Sequence, residues 1–151
     1  MGDLGAEGSP KDRRLTARAL ERLRRLCLSL PETNERESNG ERGWFVRDRK
    51  LFVTFVDHHH DDRVGFWCAA SPGDQAALVS ADPARFFVPP YVGHRGWLGV
   101  YLDVPVDSHQ VAEIVTDAYR VVAPKRLAAR IDERARAPGV NPSRRSASRP
   151  R

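Results

Sequence analysis

The sequence is short of the residues and patterns on which several protein classes depend. Its two cysteines, Cys27 and Cys68, are far apart and form no CxxC pair, which disfavours a disulfide framework and a cysteine zinc site. No apolar run approaches the roughly 18 residues of a membrane span, and the N-terminus has no hydrophobic secretory segment. We therefore expect a cytoplasmic protein with two reduced, buried thiols and no membrane partner.

Catalytic signatures are equally scarce. The serines at expected caps and turns stand outside any GxSxG elbow, and no pair of acids has a spacing that demands acid–base chemistry. The glycines of GHRGWLG match neither a phosphate loop nor a dinucleotide fingerprint. Gly96 is instead expected to supply a positive φ, and Gly99 to make room for a packed neighbour. The sequence predicts a protein that is not an enzyme and has no catalytic residues and no cofactor.

The positive charge is concentrated near the C-terminus. The chain has 151 residues and a formal net charge of +5. Residues 13–123 contain 15 basic and 15 acidic side chains, whereas residues 124–151 contain nine basic and two acidic ones. The tail can therefore attract any polyanion, while the folded body can do so only through local patches.

Apolar periodicity and turn residues predict one domain. We expect a disordered segment at 1–12, an α+β domain at 13–130 and a basic flexible tail at 131–151. Residues 32–42 are interpreted as loop, Ser71 and Pro72 as a helix start, and Asp107 as a helix N-cap. The predicted order α-β-β-β-α-β-β-α favours two layers, an antiparallel sheet with helices on one face.

The sheet face away from the helices is predicted to be aromatic. If Leu51, Val53 and Phe55 face the helices, strand alternation places another set on the opposite face. That set is Phe52, Thr54, Val56, Trp67, Trp97 and Tyr101. Such a face can stack bases, bury itself against a second subunit or lie beneath residues 82–96, so a homodimer or protein-interaction module stays open.

The stretch VDHHHDDR raises the question of a metal. Alternation places His58 and His60 on one side of an extended segment, but HExxH and similar ligand spacings are lacking. We favour a solvated hairpin turn and predict no metal site. A small-molecule or metal-dependent activity near His58, His60 and His94 is the alternative.

Clustered cations point instead to a polyanion. A helical stripe, two hairpin tips, a loop and the last helix all contribute to the candidate nucleic-acid site. Its members are Arg14, Arg18, Arg22, Arg25, Arg47, Arg49, Lys50, Arg63, His94, Arg95, Trp97, Lys125 and Arg126. The competing interpretation is a solvated helix face with charged, protected sheet edges.

Several segments together resemble the MmcQ/YjbR family. They are LSLPE at 28–32, KLF at 50–52, FWC at 66–68, PYVGHRGWLGV at 90–100, DAY at 117–119 and APKRL at 123–127. The resemblance covers roughly residues 13–130, and it implies an α+β fold similar to that of secretion chaperones. It also implies DNA binding, with two hairpins acting as wings. One departure is the turn Asp48-Arg49, where many relatives carry a glycine. We therefore expect weak, largely non-specific DNA binding through phosphate contacts.

Overall fold

A six-stranded antiparallel sheet forms the centre of the protein. The computed structural model describes residues 10–57 and 63–136, with the side chains of the last helix described as far as residue 133. The helices are α1 (Pro10–Leu28), α2 (Asp74–Ala81), α3 (Ser108–Val122) and α4 (Lys125–Arg136). The strands are β1 (Thr33–Ser38), β2 (Glu41–Val46), β3 (Lys50–Asp57), β4 (Val64–Cys68), β5 (Phe86–Phe87) and β6 (Leu98–Tyr101). The spatial order β1-β2-β3-β4-β6-β5 confirms the predicted α+β class and its antiparallel sheet.

The first strand was not predicted. Residues 32–42 were interpreted as loop, but β1 pairs along its whole length with β2. The connecting turn has φ values of 54° at Asn39 and 84° at Gly40, the two positive values that a type I′ hairpin requires. The Asn-Gly pair was thus the available signal, and the polar composition of β1 obscured it.

The hairpin between β2 and β3 is confirmed, and its turn contains no glycine. Arg47 and Asp48 have φ values of 55° and 54°, and the Arg49 amide donates to the Val46 carbonyl at 3.0 Å. Non-glycine residues therefore adopt the left-handed conformation that this turn demands.

A bulge in β3 changes which side chains face the helices. Trp44 lies opposite Val53 while the next residue, Phe45, lies opposite Leu51, so Phe52 is an extra residue in β3. The Phe52 ring packs edge-on against Tyr119 of α3, with centroids 5.7 Å apart. The expectation that Phe52 lies on the face away from the helices is therefore wrong, because strict alternation does not survive a bulge.

The predicted open aromatic face is covered in the single chain. Of its six members, Phe52, Thr54, Val56 and Trp97 are buried, and the other two are half-buried. The guanidinium of Arg63 lies 3.6 Å above the Tyr101 ring, and Phe87 stacks on that ring at 4.5 Å. The exposed large hydrophobic residues of the described chain all come from outside this set. The structure therefore gives no support to a dimer formed through this face.

Of two helix starts predicted from the sequence, one is confirmed and the other is wrong. Asp107 caps α3 as predicted, since its Oδ1 accepts from the amides of His109 and Gln110 at 3.0 and 3.2 Å. The expected start of α2 at Ser71 is wrong. A turn closed by the Asp74 amide and the Ser71 carbonyl comes first, and the helix begins at Asp74 after a left-handed Gly73.

The core lies between the sheet and the helices α1 and α3. Cys27 and Cys68 are both free and fully buried, as predicted, and burial raises the pKa of each thiol.

Gly96 has φ 86°, and a Cβ on Gly99 would lie 2.3 Å from the Phe87 ring, so both glycine predictions are confirmed. None of the described helices is long and apolar enough to cross a membrane.

Candidate nucleic-acid interface

The two groups of predicted wing cations lie at opposite ends of the sheet. Arg47 and Arg49 directly precede β3, whereas Arg63 precedes Val64, which pairs with Asp57 at the far end of β3, so the length of β3 separates them. That strand has eight residues, which corresponds to roughly 25 Å. Arg47, Arg49 and Lys50 therefore do not share a surface with Arg63.

At one end of the sheet, basic residues from two distant segments surround Glu32. Arg47 Nε donates to Glu32 Oε1 at 2.7 Å, and Arg130 Nη1 lies 3.6 Å from Oε2. The hydrogen bond from Arg47 and the charges of Arg130 and Arg126 hold the pKa of this exposed carboxyl below its ordinary value. The β2–β3 turn and the start of α4 are therefore neighbours. We call this cluster the basic end: Arg47, Arg49, Lys50, Lys125, Arg126 and Arg130.

Four members of the basic end form no ion pair with a described carboxylate. Arg49, Lys50, Lys125 and Arg126 are exposed, and no carboxylate of the described chain forms an ion pair with them. The nearby Asp48 is already engaged. It accepts from Arg36 at 2.6 Å and from Asn34 at 3.0 Å, and these contacts lower its pKa. The end therefore keeps a local excess of positive charge.

At the opposite end, Arg63 forms a structural ion pair. Its Nε and Nη2 donate to Asp103 at 2.9 and 2.8 Å, and the Val64 amide donates to the same carboxylate at 3.1 Å. Burial of Asp103 opposes ionisation, but these hydrogen bonds and the positive charge prevail and lower its pKa. Binding a phosphate with Arg63 would require breaking a two-point contact, which makes it a poor candidate ligand.

The α1 stripe is only partly free. Arg25 lies 3.8 Å from Glu21, a long and exposed pair. Arg14, Arg18 and Arg22 are exposed and form no ion pair with a described carboxylate. Arg18 and Arg22 border a groove between α1 and the start of α3. They belong to a different surface from the basic end.

The loop before β6 separates its charged and aromatic members. His94 and Arg95 are exposed on a short 3-10 turn, and the Arg95 guanidinium lies 5.6 Å from the Trp97 ring. Trp97 itself is 6% exposed, so its ring is not available for stacking on a base. The exposed aromatic side chain of this loop is Tyr91, 74% exposed with φ 66°.

No metal centre forms within residues 10–57 and 63–136, where no three His, Cys, Asp or Glu side chains are grouped closely enough to hold an ion. The histidine stretch, with His58 and His60, lies outside the described residues, so the prediction of no metal there stays a prediction. His94 is exposed on the 3-10 turn.

One member of the basic end was missed from the sequence. Arg130 follows Arg126 by four residues on α4, which places both on the same side of the helix. That spacing was visible in the sequence, but the proximity of α4 to Glu32 was not.

Comparisons with known proteins agree with this architecture. The model of the YjbR family matches residues 28–121. A solved structure of the Deinococcus radiodurans protein DR2400, described as having a DUF419 domain, superposes with a TM-score of 0.59 at 17% identity. The superposition covers 70% of this chain and 79% of that one, and it shows likeness of fold. No curated protein matches the chain.

Proposed function

The chain belongs to the YjbR family, and from that premise we propose that it binds DNA through the phosphate backbone, using the basic end. The family resemblance implies DNA binding, but it does not indicate which surface is used. We choose the basic end because of the distribution of exposed charges on the folded body.

The observation that carries the proposal is the meeting of two cationic segments around one carboxylate. The β2–β3 turn supplies Arg49 and Lys50, and the start of α4 supplies Lys125 and Arg126, all exposed and without a described ion-pair partner. Glu32 forms ion pairs with Arg47 and Arg130, and its single negative charge is fewer than the positive charges around it. Arginine and lysine side chains commonly contact DNA phosphates, and here four exposed ones without an ion pair to a described carboxylate lie in one cluster.

The mechanism follows from what this surface lacks. The six residues of the basic end include no aromatic side chain that could stack on a base, and the ring of the candidate residue Trp97 is buried. Binding would therefore release counterions from the DNA and discriminate little between sequences. The residues after α4 add further arginines, and they continue the chain from a helix that begins at the basic end.

Removing charge from the basic end should lower the salt dependence of DNA binding. In the triple variant Arg49→Gln, Lys50→Gln, Arg126→Gln, three phosphate contacts are lost while no described ion pair is broken. Because each contact contributes about 0.9 to the slope of log affinity against log salt, the slope should fall by up to about 3. Fluorescence anisotropy with a labelled duplex at several salt concentrations measures it.

The matched control removes the same charge from α1. The variant Arg14→Gln, Arg18→Gln, Arg22→Gln also loses three exposed, unpaired arginines but lies outside the basic end. Its slope should stay near that of the unmodified protein. Equal slopes for the two triple variants would show that only net charge matters, and would refute a localised interface.

Deleting residues 138–151 should also reduce the slope. The deleted segment contains four arginines and no acidic residue, and its non-specific contribution should vanish at high salt. Because the deletion leaves every described element in place, residual binding that still responds to the triple variant would assign the rest of the affinity to the basic end. An unchanged slope after the deletion would remove the tail from the interface.

A further inference from the structure

A concave surface lies at the end of the sheet opposite the basic end. It is a groove of about 1380 Å³ between α1, the start of α3 and the segment at 102–106. Apolar residues make up most of its lining, among them Leu15, Leu20, Leu26, Leu102, Val104 and Val106. Leu15, which lines the groove, is 52% exposed.

Two of the arginines that line the groove form no ion pair with a described residue. Arg18 and Arg22 line it one helical turn apart, about 6 Å along α1, and neither pairs with a carboxylate of the described chain. Asp103 is held by Arg63 and the Val64 amide. Asp12, Arg13 and Asp57 also have partners. The groove thus offers two available guanidinium groups beside an apolar floor.

Two kinds of ligand fit poorly to a groove with an apolar lining and two arginines that are unpaired within the described chain. A second copy that places its own α1 in the groove would bring two arginine stripes together, and repulsion between them opposes such a dimer. A nucleic acid would contact the arginines but would leave the apolar floor unused. What fits is a molecule with an anionic head and a long apolar body.

We infer that the groove binds a free long-chain fatty acid, with the carboxylate between Arg18 and Arg22 and the hydrocarbon chain along the aliphatic floor. Guanidinium groups bind carboxylates through paired, charge-assisted hydrogen bonds. The volume exceeds the ~300–1,000 Å³ of common small-molecule pockets, so the length of the chain is not limited by space. The site is separate from the basic end and does not depend on the proposed DNA binding.

The test is a titration of the full-length protein with the fluorescent fatty acid cis-parinarate, followed by displacement with palmitate below its micellar concentration. We expect saturable binding of one molecule per chain and displacement by palmitate. Hexadecanol, the neutral alcohol of the same chain length, should displace the probe at least tenfold more weakly, because it has no charge to pair with the arginines.

Two variants separate the head-group and chain contacts. Arg18→Gln with Arg22→Gln should raise the dissociation constant about tenfold or more, through loss of two charge-assisted contacts. Leu15→Asn, at a position that is 52% exposed, removes an apolar contact without adding a charge beside Arg18 and should also weaken binding. The matched control, Arg49→Gln with Lys50→Gln, removes the same charge from the basic end and should leave the affinity unchanged.

Four outcomes would overturn the inference. They are a lack of saturable binding, equal displacement by hexadecanol, equal weakening in the control variant, and retained affinity in both groove variants. Binding to anionic phospholipid vesicles without competition from palmitate would assign the surface to a membrane and would equally refute a free fatty acid.

Discussion

Replacing Gly65 by alanine is expected to lower the free energy of unfolding by about 3 kcal/mol or to prevent folding altogether. A Cβ at this position would lie 2.3 Å from the carbonyl oxygen of Val100 and 3.2 Å from its carbonyl carbon. Both atoms belong to the backbone of the adjacent strand β6, where Gly65 pairs with Tyr101. Relief of the overlap would therefore require pulling β6 away from β4. Urea denaturation, with far-UV circular dichroism of the purified variant, measures the loss.

The same substitution at Gly43 provides the matched control. Gly43 lies in β2 of the same sheet, and its added Cβ would meet the Leu51 Cδ1 atom at 2.8 Å. That atom is the end of a flexible side chain, which can rotate away, so we expect a cost of less than about 1 kcal/mol. Equal destabilisation of the two variants would show that β-strand propensity, and not the close approach of β6, decides the effect.

Gly65 illustrates which parts of the fold the sequence could predict. The strand around it was predicted from its apolar, β-branched and aromatic residues. The strand that became β6 was predicted too, but its position beside β4 was not, because the order β4-β6-β5 departs from the order along the chain. Elements with strong local signals, such as α1, α3 and the β2–β3 hairpin, were predicted. The need for a glycine at position 65 depends on a contact between strands more than 30 residues apart.

The candidate site shows the same division between local and distant information. The cations of the β2–β3 turn and of α4 were named from the sequence, but their meeting around Glu32 depends on tertiary structure. Arg63 was named from its place beside a hairpin, yet it is paired with Asp103, 40 residues away. A charged residue's availability for a ligand depends on its partners, and partners at such separation leave no local pattern.

The hydrogen bonds of Glu35 are a second example of distant partners. Glu35 lies in β1, whose polar sequence does not predict a strand, and its side chain is 12% exposed. It accepts from Arg24 Nε and Nη2 at 2.8 and 3.0 Å, from Arg42 Nε at 2.9 Å and from Trp44 Nε1 at 3.2 Å. Trp44 is fully buried. One carboxylate therefore joins α1, β1 and β2.

Replacing Glu35 by glutamine should destabilise the protein by about 3 kcal/mol, since it removes the carboxylate to which Arg24, Arg42 and Trp44 all donate. Arg24 keeps its ion pair with Glu21 at 2.9 Å, whereas Arg42 is left without a counter-charge among the described residues. Glutamine has almost the same shape, but its amide group presents donors to the donors of Arg24 or Arg42. The melting temperature should fall by about 10 °C. Glu37→Gln is the control, because Glu37 lies on the same strand, is exposed and forms no ion pair with a described residue. A comparable loss in the control would contradict the prediction.

The role of the Glu35 charge can be tested by comparing the stability of the unmodified protein and of Glu35→Gln at several pH values. The hydrogen bonds from Arg24 hold the pKa of Glu35 below its ordinary value, against the opposing effect of burial. A carboxyl whose pKa is lowered by folding stabilises the protein above its unfolded pKa, about 4.3 for glutamate, and loses that contribution as pH falls through the folded value. Glu32, Asp48 and Asp103 also have lowered pKa values, so both proteins should lose stability in acid. The difference in the free energy of unfolding between the unmodified protein and Glu35→Gln should be largest at pH 7 and should decrease as Glu35 becomes protonated. Urea denaturation at several pH values measures this difference. If the difference in unfolding free energy stayed constant down to the acid transition, shape and packing at position 35, and not its charge, would hold α1 to the sheet.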